Sequence, residues 1–154
     1  MTAPRAVVIG VGNLYRRDDG IGQALVAAVG ELQLPGVVLT VSDGEPSQLL
    51  DAWSGADLAV VVDAVLCDPP EPGRIHRTTL GSAAPGSATA STHGLGIPDA
   101  VRLAEALNRA PQRLVVFAVE AADIGFGLGL SPAVAASLPE LTRAVHAELG
   151  AHRG

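Results

Sequence analysis

Residues 6–22 read AVVIGVGNLYRRDDGIG, an apolar run followed by a glycine-rich turn. Dinucleotide-binding folds also begin in this way, with three glycines in the order G-x-G-x-x-G that bring a helix N-terminus to a phosphate. Here the third position is Tyr15, and Asp18 and Asp19 place two negative charges at the start of the predicted helix. Acidic side chains stabilise that end of a helix and repel a phosphate. The stretch therefore predicts a strand, a turn and a helix without a bound nucleotide.

Strand and helix patterns alternate along the rest of the chain. Val-rich runs with little polar alternation are typical of strands buried on both faces of a parallel sheet. They occupy residues 6–9, 37–41, 58–65 and 114–119. Apolar side chains recur at helical spacing over residues 21–32 and 101–107. This alternation predicts a doubly wound α/β domain.

Three further segments have their own local signals. Residues 74–80 have no helix before them and predict an added edge strand, whereas the small and polar residues 81–92 predict a mobile loop. Ser131 before Pro132 is a capping residue followed by a proline, which predicts the start of the last helix. Pro139 is expected to kink or restart that helix.

The composition limits the possible functions. The 154 residues are 48% hydrophobic and 17% charged, which is typical of one globular domain. A net charge of −6 with scattered basic residues argues against nucleic acid as a partner. The longest apolar runs are too short to span a membrane, and the N-terminus lacks a signal pattern, so we expect a cytoplasmic protein. Cys67 is the single cysteine, which excludes an internal disulfide. We interpret it either as a small buried residue or as a reactive thiol.

Acidic residues follow three of the predicted strands. Ligands of open α/β sheets bind at the carboxyl ends of the strands, where Asp18 and Asp19, Asp43 and Asp63 occur. Asp63 lies within the apolar run VVVDAVL, where an unpaired charge is costly. Its alternative roles are a hydrogen-bonded structural carboxylate or the cap of a following turn. Of the adjacent pair, Asp18 is expected to cap the helix and Asp19 to bind a ligand.

His93 follows the predicted loop, in the stretch SATASTHGLGIPDA. Alone it would be an ordinary loop histidine, but imidazole with two carboxylates suits a borderline divalent metal such as nickel or zinc. The remaining histidines have no comparable setting and are predicted to be solvated. They are His76, His146 and His152.

Several motifs together resemble one protein family. In chain order they are VVIGVGNLYRRDDGIG, VVVDAV, STHGLG and VEAADIGFGLGLSP, and they resemble the hydrogenase maturation proteases over residues 6–149. Those enzymes remove the C-terminal extension from the large subunit of nickel-iron hydrogenases. Standard signatures of zinc peptidases and serine hydrolases, H-E-x-x-H and G-x-S-x-G, do not occur in the sequence.

The resemblance carries expectations about fold and chemistry. It implies an α/β fold in a single three-layer domain over residues 1–154, with a mostly parallel twisted sheet and helices on both faces. It implies an endopeptidase of the aspartyl type whose catalytic and metal-contacting residues are Asp19, Asp63 and His93. The metal it implies is nickel, already loaded in the hydrogenase large-subunit precursor, so that the protease inspects the precursor's metal before cutting.

The chain departs from the family pattern in two places. The family often has glutamate where this chain has Asp19, which reaches less far by one methylene group. A glycine-threonine turn often follows the position of Asp43, whereas this chain has Gly44-Glu45-Pro46-Ser47. We therefore expect Glu45 to contact the peptide substrate and to affect which precursor is accepted.

Other acids are candidates for supporting roles. Asp18 or Asp43 is the candidate general base, since such a group must lie within a hydrogen bond or one water of the nucleophile. Glu120 is a candidate for binding a basic substrate residue, for orienting His93 or for a structural role. Residues 81–92 and 123–129 are rich in small residues and are candidates for loops that close over the substrate tail.

The absence of a standard protease nucleophile motivates an alternative from another functional class. The chain would then be a nickel-dependent chaperone that binds the immature large subunit without cutting it. Release of a C-terminal peptide distinguishes the two functions.

Overall fold

The computed structural model describes residues 5–80, 90–91 and 96–153, with side chains over residues 5–79 and 97–151. Within these ranges the strands are β1 (Ala6–Val11), β2 (Val37–Ser42), β3 (Leu58–Leu66), β4 (Ile75–Leu80), β5 (Ala90–Ser91) and β6 (Arg113–Glu120). The helices are a 3-10 helix (Arg17–Gly20), α1 (Ile21–Glu31), α2 (Pro46–Trp53), α3 (Gly96–Ala106) and α4 (Pro132–Arg153). The described helices include none that is long and apolar enough to cross a membrane.

The strands form one mostly parallel sheet in the order β2-β1-β3-β6-β4. β1, β2, β3 and β6 run parallel, so their carboxyl ends meet at one edge, which we call the carboxyl edge. β4 is antiparallel to β6 at the end of the sheet, which confirms the predicted edge strand. The short β5 pairs with Val65 and Leu66, beyond the last residues of β3 that pair with β1. The α/β fold class is confirmed.

Helices cover both faces of the sheet. α1 and α4 pack on one face against alternate residues of β3, including Val60 and Val62. α2 and α3 pack on the other face, against Ala59 and Val61. All six residues of β1 are buried, because both faces of this central strand are covered. The apolar runs of β1, β3 and β6 follow from this double burial. β2 is an edge strand that leaves Val38 and Val41 exposed, so the prediction that it is buried on both faces was wrong.

The glycines of the opening stretch let a helix lie close to the sheet. A Cβ on Gly10 would come within 2.2 Å of the Gly22 carbonyl oxygen, and a Cβ on Gly22 within 2.8 Å of the Val62 oxygen. Gly12 has a φ of 143°, and a Cβ there would approach the Asp19 carbonyl oxygen to 1.9 Å. The turn and α1 can therefore pack directly against the backbone of β1 and β3. Larger residues at these glycine positions would not fit.

Several local expectations need correction. Asp18 and Asp19 lie in the 3-10 helix before α1, whose N-cap is Gly20, so neither acid lies in the first turn of α1. α2 is an additional helix, whose N-cap is Glu45. α4 begins at Pro132 as predicted, but it continues through Pro139 without restarting. Of the predicted loop over residues 81–92, Ala90 and Ser91 form β5, and the other residues lie outside the described part of the chain.

Candidate active site

Asp19 lies just beyond the carboxyl end of β1. Its side chain is fully buried, and its Oδ2 accepts a hydrogen bond from the Asn13 backbone N–H at 3.0 Å. Asn13 in turn holds the turn in place, because its Oδ1 accepts from the Tyr15 N–H at 2.9 Å. The tight approach at Gly12 places the backbone of Asp19 directly over the end of β1. The glycine-asparagine turn thus fixes a carboxylate at the carboxyl edge.

Asp63 lies in β3, the strand next to β1. It is 1% exposed, and its Oδ1 accepts from the Ala64 N–H at 2.8 Å. The alternation along β3 puts Asp63 on the same sheet face as Ala59 and Val61, toward α2 and α3. The 3-10 helix that carries Asp19 contacts β3. The structure therefore brings two buried carboxylates to neighbouring elements at one edge, as the sequence predicted.

His93 lies outside the described residues, so its predicted place in the site stays a prediction. The nearest described residues are those of β5, which ends at Ser91. Ser91 pairs with Val65, two residues beyond Asp63 along β3.

Asp18 has a structural role. It is fully buried, and its carboxylate accepts four hydrogen bonds from the segment that follows β6. The donors are Ala122 N (2.8 Å), Asp123 N (3.0 Å), Ser131 N (2.7 Å) and Ser131 Oγ (2.9 Å). Oδ2 accepts three of these bonds and Oδ1 accepts the fourth, so both oxygens hold the segment that follows β6. The N-cap of α1 is Gly20, so the predicted helix cap was wrong, and the contacts of Asp18 connect two segments of the fold.

Asp43 and Glu45 are exposed acids in the turn between β2 and α2. Asp43 Oδ1 accepts from the Glu45 N–H at 3.0 Å, and water reaches the carboxylate. Glu45 is the N-cap of α2, where it accepts from the Gln48 N–H and from the Ser47 hydroxyl. The Ser47 hydroxyl is the main cause that lowers the pKa of Glu45 below its usual 4.5. The cap was signalled by glutamate before Pro46, which occupies the first turn of the helix.

Glu120 ends β6 and contacts His76 of β4. It is 3% exposed, its Oε2 lies 2.6 Å from His76 Nε2, and its Oε1 accepts from the Glu71 N–H at 2.7 Å. The hydrogen bond from His76 is the main cause that lowers the pKa of Glu120, and burial raises the pKa of the nearby Cys67 thiol. The prediction that His76 is merely solvated was therefore wrong, whereas His146 is exposed as expected. This contact follows from the antiparallel pairing of β4 with β6, which no local sequence pattern reveals.

The segment after β6 is held against the opening turn. Arg16 and Gly127 form a parallel bridge, in which the Gly127 N–H donates to the Tyr15 oxygen and the Arg17 N–H to the Gly127 oxygen, each at 2.9 Å. With the four bonds to Asp18, these contacts fix a segment that the sequence suggested could close over a substrate. Of the large apolar side chains on the joined segments, three are at least 67% exposed. They are Tyr15 (67%), Phe126 (91%) and Leu128 (69%).

The chemistry of this edge is that of buried carboxylates beside an exposed apolar surface. Asp19 and Asp63 offer oxygen ligands for a divalent cation. Asp43 adds an exposed carboxylate after the neighbouring strand β2. The arrangement suits a reaction in which a metal ion and a peptide meet at the carboxyl edge.

Comparison with known proteins gives the same family as the motifs. A family model described as hydrogenase maturation protease matches residues 33–148. The hydrogenase expression/formation protein HoxM of Azotobacter vinelandii is 31% identical over 158 residues, covering 100% of this chain and 76% of HoxM. The corresponding protein HupD of Thiocapsa roseopersicina is 29% identical over 136 residues, covering 85% of this chain but only 61% of HupD.

A solved structure supports the fold independently. The hydrogenase maturating endopeptidase HybD from E. coli superposes with a TM-score of 0.80, over 96% of this chain and 93% of HybD, at 22% sequence identity. The family match covers about three quarters of the chain, and the structural match covers 96% of it. The chain therefore belongs to the hydrogenase maturation protease family, a family of peptide hydrolases.

Proposed function

We propose that the protein is an endopeptidase that removes the C-terminal extension from the nickel-loaded precursor of a hydrogenase large subunit. The observation that carries the proposal is the pair of buried carboxylates, Asp19 and Asp63, at the carboxyl edge of a chain of this family. A buried carboxylate is costly unless hydrogen bonds or an opposite charge compensate it. Nickel that arrives with the substrate would supply the positive charge that these acids suit.

Asp19, Asp63 and His93 are the proposed nickel contacts. Carboxylate and imidazole ligands suit a borderline divalent ion, and the two described acids come from elements that touch. Inclusion of His93 is supported by the chain path, because β5 pairs with β3 two residues beyond Asp63 and ends two residues before His93. Nickel held there would act as a Lewis acid on the scissile carbonyl or lower the pKa of an attacking water.

Asp43 is the proposed general base. The other candidate, Asp18, is buried and accepts four hydrogen bonds from the segment after β6. Asp43 is exposed and accepts one backbone hydrogen bond, so its carboxylate can accept a proton from a water molecule. β2 lies beside β1, which puts Asp43 at the same edge as Asp19.

An exposed apolar surface is the proposed docking site for the precursor. Tyr15, Phe126 and Leu128 are exposed on two segments that are hydrogen-bonded to each other. Large apolar side chains exposed together mark sites of protein contact. Tyr15 lies four residues before Asp19, so a precursor bound there would lie near the acids.

The test uses nickel-loaded and nickel-free forms of a cognate precursor, with intact mass spectrometry of both proteins. We expect a shortened large subunit and a released C-terminal peptide from the loaded form alone. Asp63→Asn and Asp19→Asn should lower the cleavage rate about hundredfold or more, since several kcal/mol of charge stabilisation are lost. His93→Ala should do the same, whereas His146→Ala, at an exposed histidine of α4, should cleave like the wild type.

Three other outcomes would contradict the proposed function or part of it. Binding of the loaded precursor without release of a peptide would favour the non-cleaving chaperone. Equal cleavage of both forms would overturn the role of nickel. Wild-type cleavage by Asp63→Asn would overturn the assignment of the site.

A further inference from the structure

A second group of potential metal ligands lies at the far side of the carboxyl edge. Cys67, His76 and Glu120 each offer one ligand atom, and these three atoms lie within 4.8 Å of one another. The group shares no residue with the proposed nickel contacts Asp19, Asp63 and His93. Neither Cys67 nor His76 lies in any of the family motifs.

Three strands bring these residues together. Cys67 follows the last residue of β3, His76 is the second residue of β4, and Glu120 is the last residue of β6. β6 lies between the other two strands, with Glu120 paired to Val65 and Ala118 paired to His76. Residues two apart on a strand share a face, and Glu120 is two residues from Ala118. The group is therefore a product of the sheet topology and has no local sequence spacing.

Glu120 is held firmly before any ion binds. Its Oε1 accepts from the Glu71 N–H, which directs Oε2 to His76 Nε2 at 2.6 Å. Its own backbone is paired with the segment that leads into β4, since its N–H donates to the Arg74 oxygen and its oxygen accepts from the Gly73 N–H, each at 2.9 Å. A nearly fully buried carboxylate in a fixed orientation is a preorganised ligand.

The distances suit a small ion after a minor adjustment. Ligand atoms around a tetrahedral zinc ion lie about 3.3–3.8 Å apart, given metal–ligand bonds of about 2.0–2.3 Å. The hydrogen-bonded His76 and Glu120 would separate by roughly 0.7 Å as the ion replaces the proton between them. The His76 side chain is 32% exposed and Cys67 is half-buried, so an ion can enter from solvent.

We propose that Cys67, His76 and Glu120 form a binding site for one divalent ion of the borderline class, with zinc as the ion it suits best. Thiolate and imidazole select zinc, cobalt and nickel over magnesium and calcium. Three protein ligands leave a fourth position for water or for another ligand. The ion would join the ends of β3, β4 and β6 and so fix the edge strand to the centre of the sheet.

Cobalt titration tests the proposal without any hydrogenase precursor. Metal-free protein is titrated with Co²⁺, and the thiolate-to-cobalt charge-transfer band is followed in the near ultraviolet. The chain has a single cysteine, so the band can come only from Cys67. We expect a saturable band at one ion per chain that Zn²⁺ abolishes by competition. His76→Ala and Glu120→Gln should each weaken cobalt binding about tenfold or more.

Control variants separate this site from the other acids. Asp63→Asn and His146→Ala should keep the wild-type band, and Cys67→Ser should lose it with an unchanged circular dichroism spectrum. A measurement on the wild type alone guards against variants that fail to fold: Zn²⁺ should slow alkylation of Cys67 by iodoacetamide about tenfold or more.

Two results would overturn the proposal. One is a folded wild-type protein that gives no saturable band and no protection of Cys67. The other is a band of equal affinity in His76→Ala and Glu120→Gln, which would show a cysteine binding cobalt alone. Because the assay contains no precursor, a negative result here leaves the proposed peptidase activity standing, and failure to cleave a precursor leaves this site standing.

Discussion

Asp18 and Asp19 are neighbours in the chain, and both are buried, but their carboxylates contact different segments. Asp18 binds backbone donors more than 100 residues away, in the segment after β6. Asp19 binds the Asn13 N–H of its own turn. One acid therefore connects two distant segments, and the other stays at the carboxyl edge beside β3.

Replacement of Asp18 should mainly affect stability. In Asp18→Asn an amide NH₂ replaces one oxygen and faces N–H or O–H donors, so at least one buried hydrogen bond is lost together with the charge. We expect the free energy of unfolding in urea to fall by roughly 2–4 kcal/mol. Asp43→Asn, at an exposed carboxylate, should change it by less than about 0.5 kcal/mol. Equal stability of Asp18→Asn and the wild type would contradict the structural role.

Glu45 should titrate below its usual range because the Ser47 hydroxyl donates to its carboxylate. A lowered pKa in the folded state means that the ionised cap stabilises the fold. That contribution is present above the usual pKa of 4.5 and is lost as the pH falls through the lowered value. Carboxyl-carbon NMR should show the low pKa in the wild type and a value closer to 4.5 in Ser47→Ala. The remote variant Ser137→Ala should leave it unchanged, and no response to Ser47→Ala would contradict the hydrogen bond.

At the scale of elements, the packing of α1 on β1 and β3 depends on glycine. A Cβ on Gly22 would lie 2.6–2.8 Å from backbone atoms of Val11 and Val62, which cannot move as a side chain can. We expect Gly22→Ala to lower the free energy of unfolding by about 1–3 kcal/mol. Gly150→Ala is the matched control on α4, since no atom lies within 4 Å of the added Cβ.

The control should behave in the opposite direction. Alanine favours a helix over glycine by up to about 1 kcal/mol, so Gly150→Ala should be neutral or stabilising. Urea unfolding of both variants measures the difference. If Gly22→Ala were as stable as Gly150→Ala, α1 would not approach the sheet as closely as the structure shows.

The elements that the sequence predicted well are those with long apolar runs or a strong helical stripe. β1, β3 and β6 are buried on both faces, and their sequences consist mostly of apolar residues. α2 has only eight residues, and its Glu45 cap was interpreted as a substrate contact. Pro139 lies inside α4, where packing on the sheet outweighs the local cost of a proline.

At the scale of the whole molecule, the placement of the two buried acids of the candidate site was predictable, because the sheet topology alone decides it. Asp19 and Asp63 follow or interrupt apolar strands, and parallel strands bring such residues to one edge. The roles of Asp18 and Glu120 were not predictable, because their partners come from distant segments whose pairing no local pattern reveals. A carboxylate in the sequence shows its charge, but its function depends on which donors the fold brings to it.

The exposed apolar side chains beyond β1 and β6 should matter for the precursor and not for the fold. Phe126 and Leu128 are 91% and 69% exposed, so Phe126→Ser combined with Leu128→Ser removes little buried area. We expect unchanged unfolding in urea but a KM for the nickel-loaded precursor that rises about tenfold or more, with little change in kcat, because docking is lost and the acids remain. Steady-state cleavage followed by mass spectrometry measures both constants.

A control at the opposite edge makes this prediction specific. Leu107 is 52% exposed and follows α3, which runs back from the carboxyl edge to the start of β6. Leu107→Ser removes a similar exposed side chain far from the acids and should leave KM and kcat at wild-type values. If both variants raised KM equally, replacing any exposed apolar side chain with serine would weaken binding of the precursor, and the effect would not be specific to this surface. If neither did, the precursor would dock elsewhere, and the bound tail alone would have to bring the scissile bond to Asp19 and Asp63.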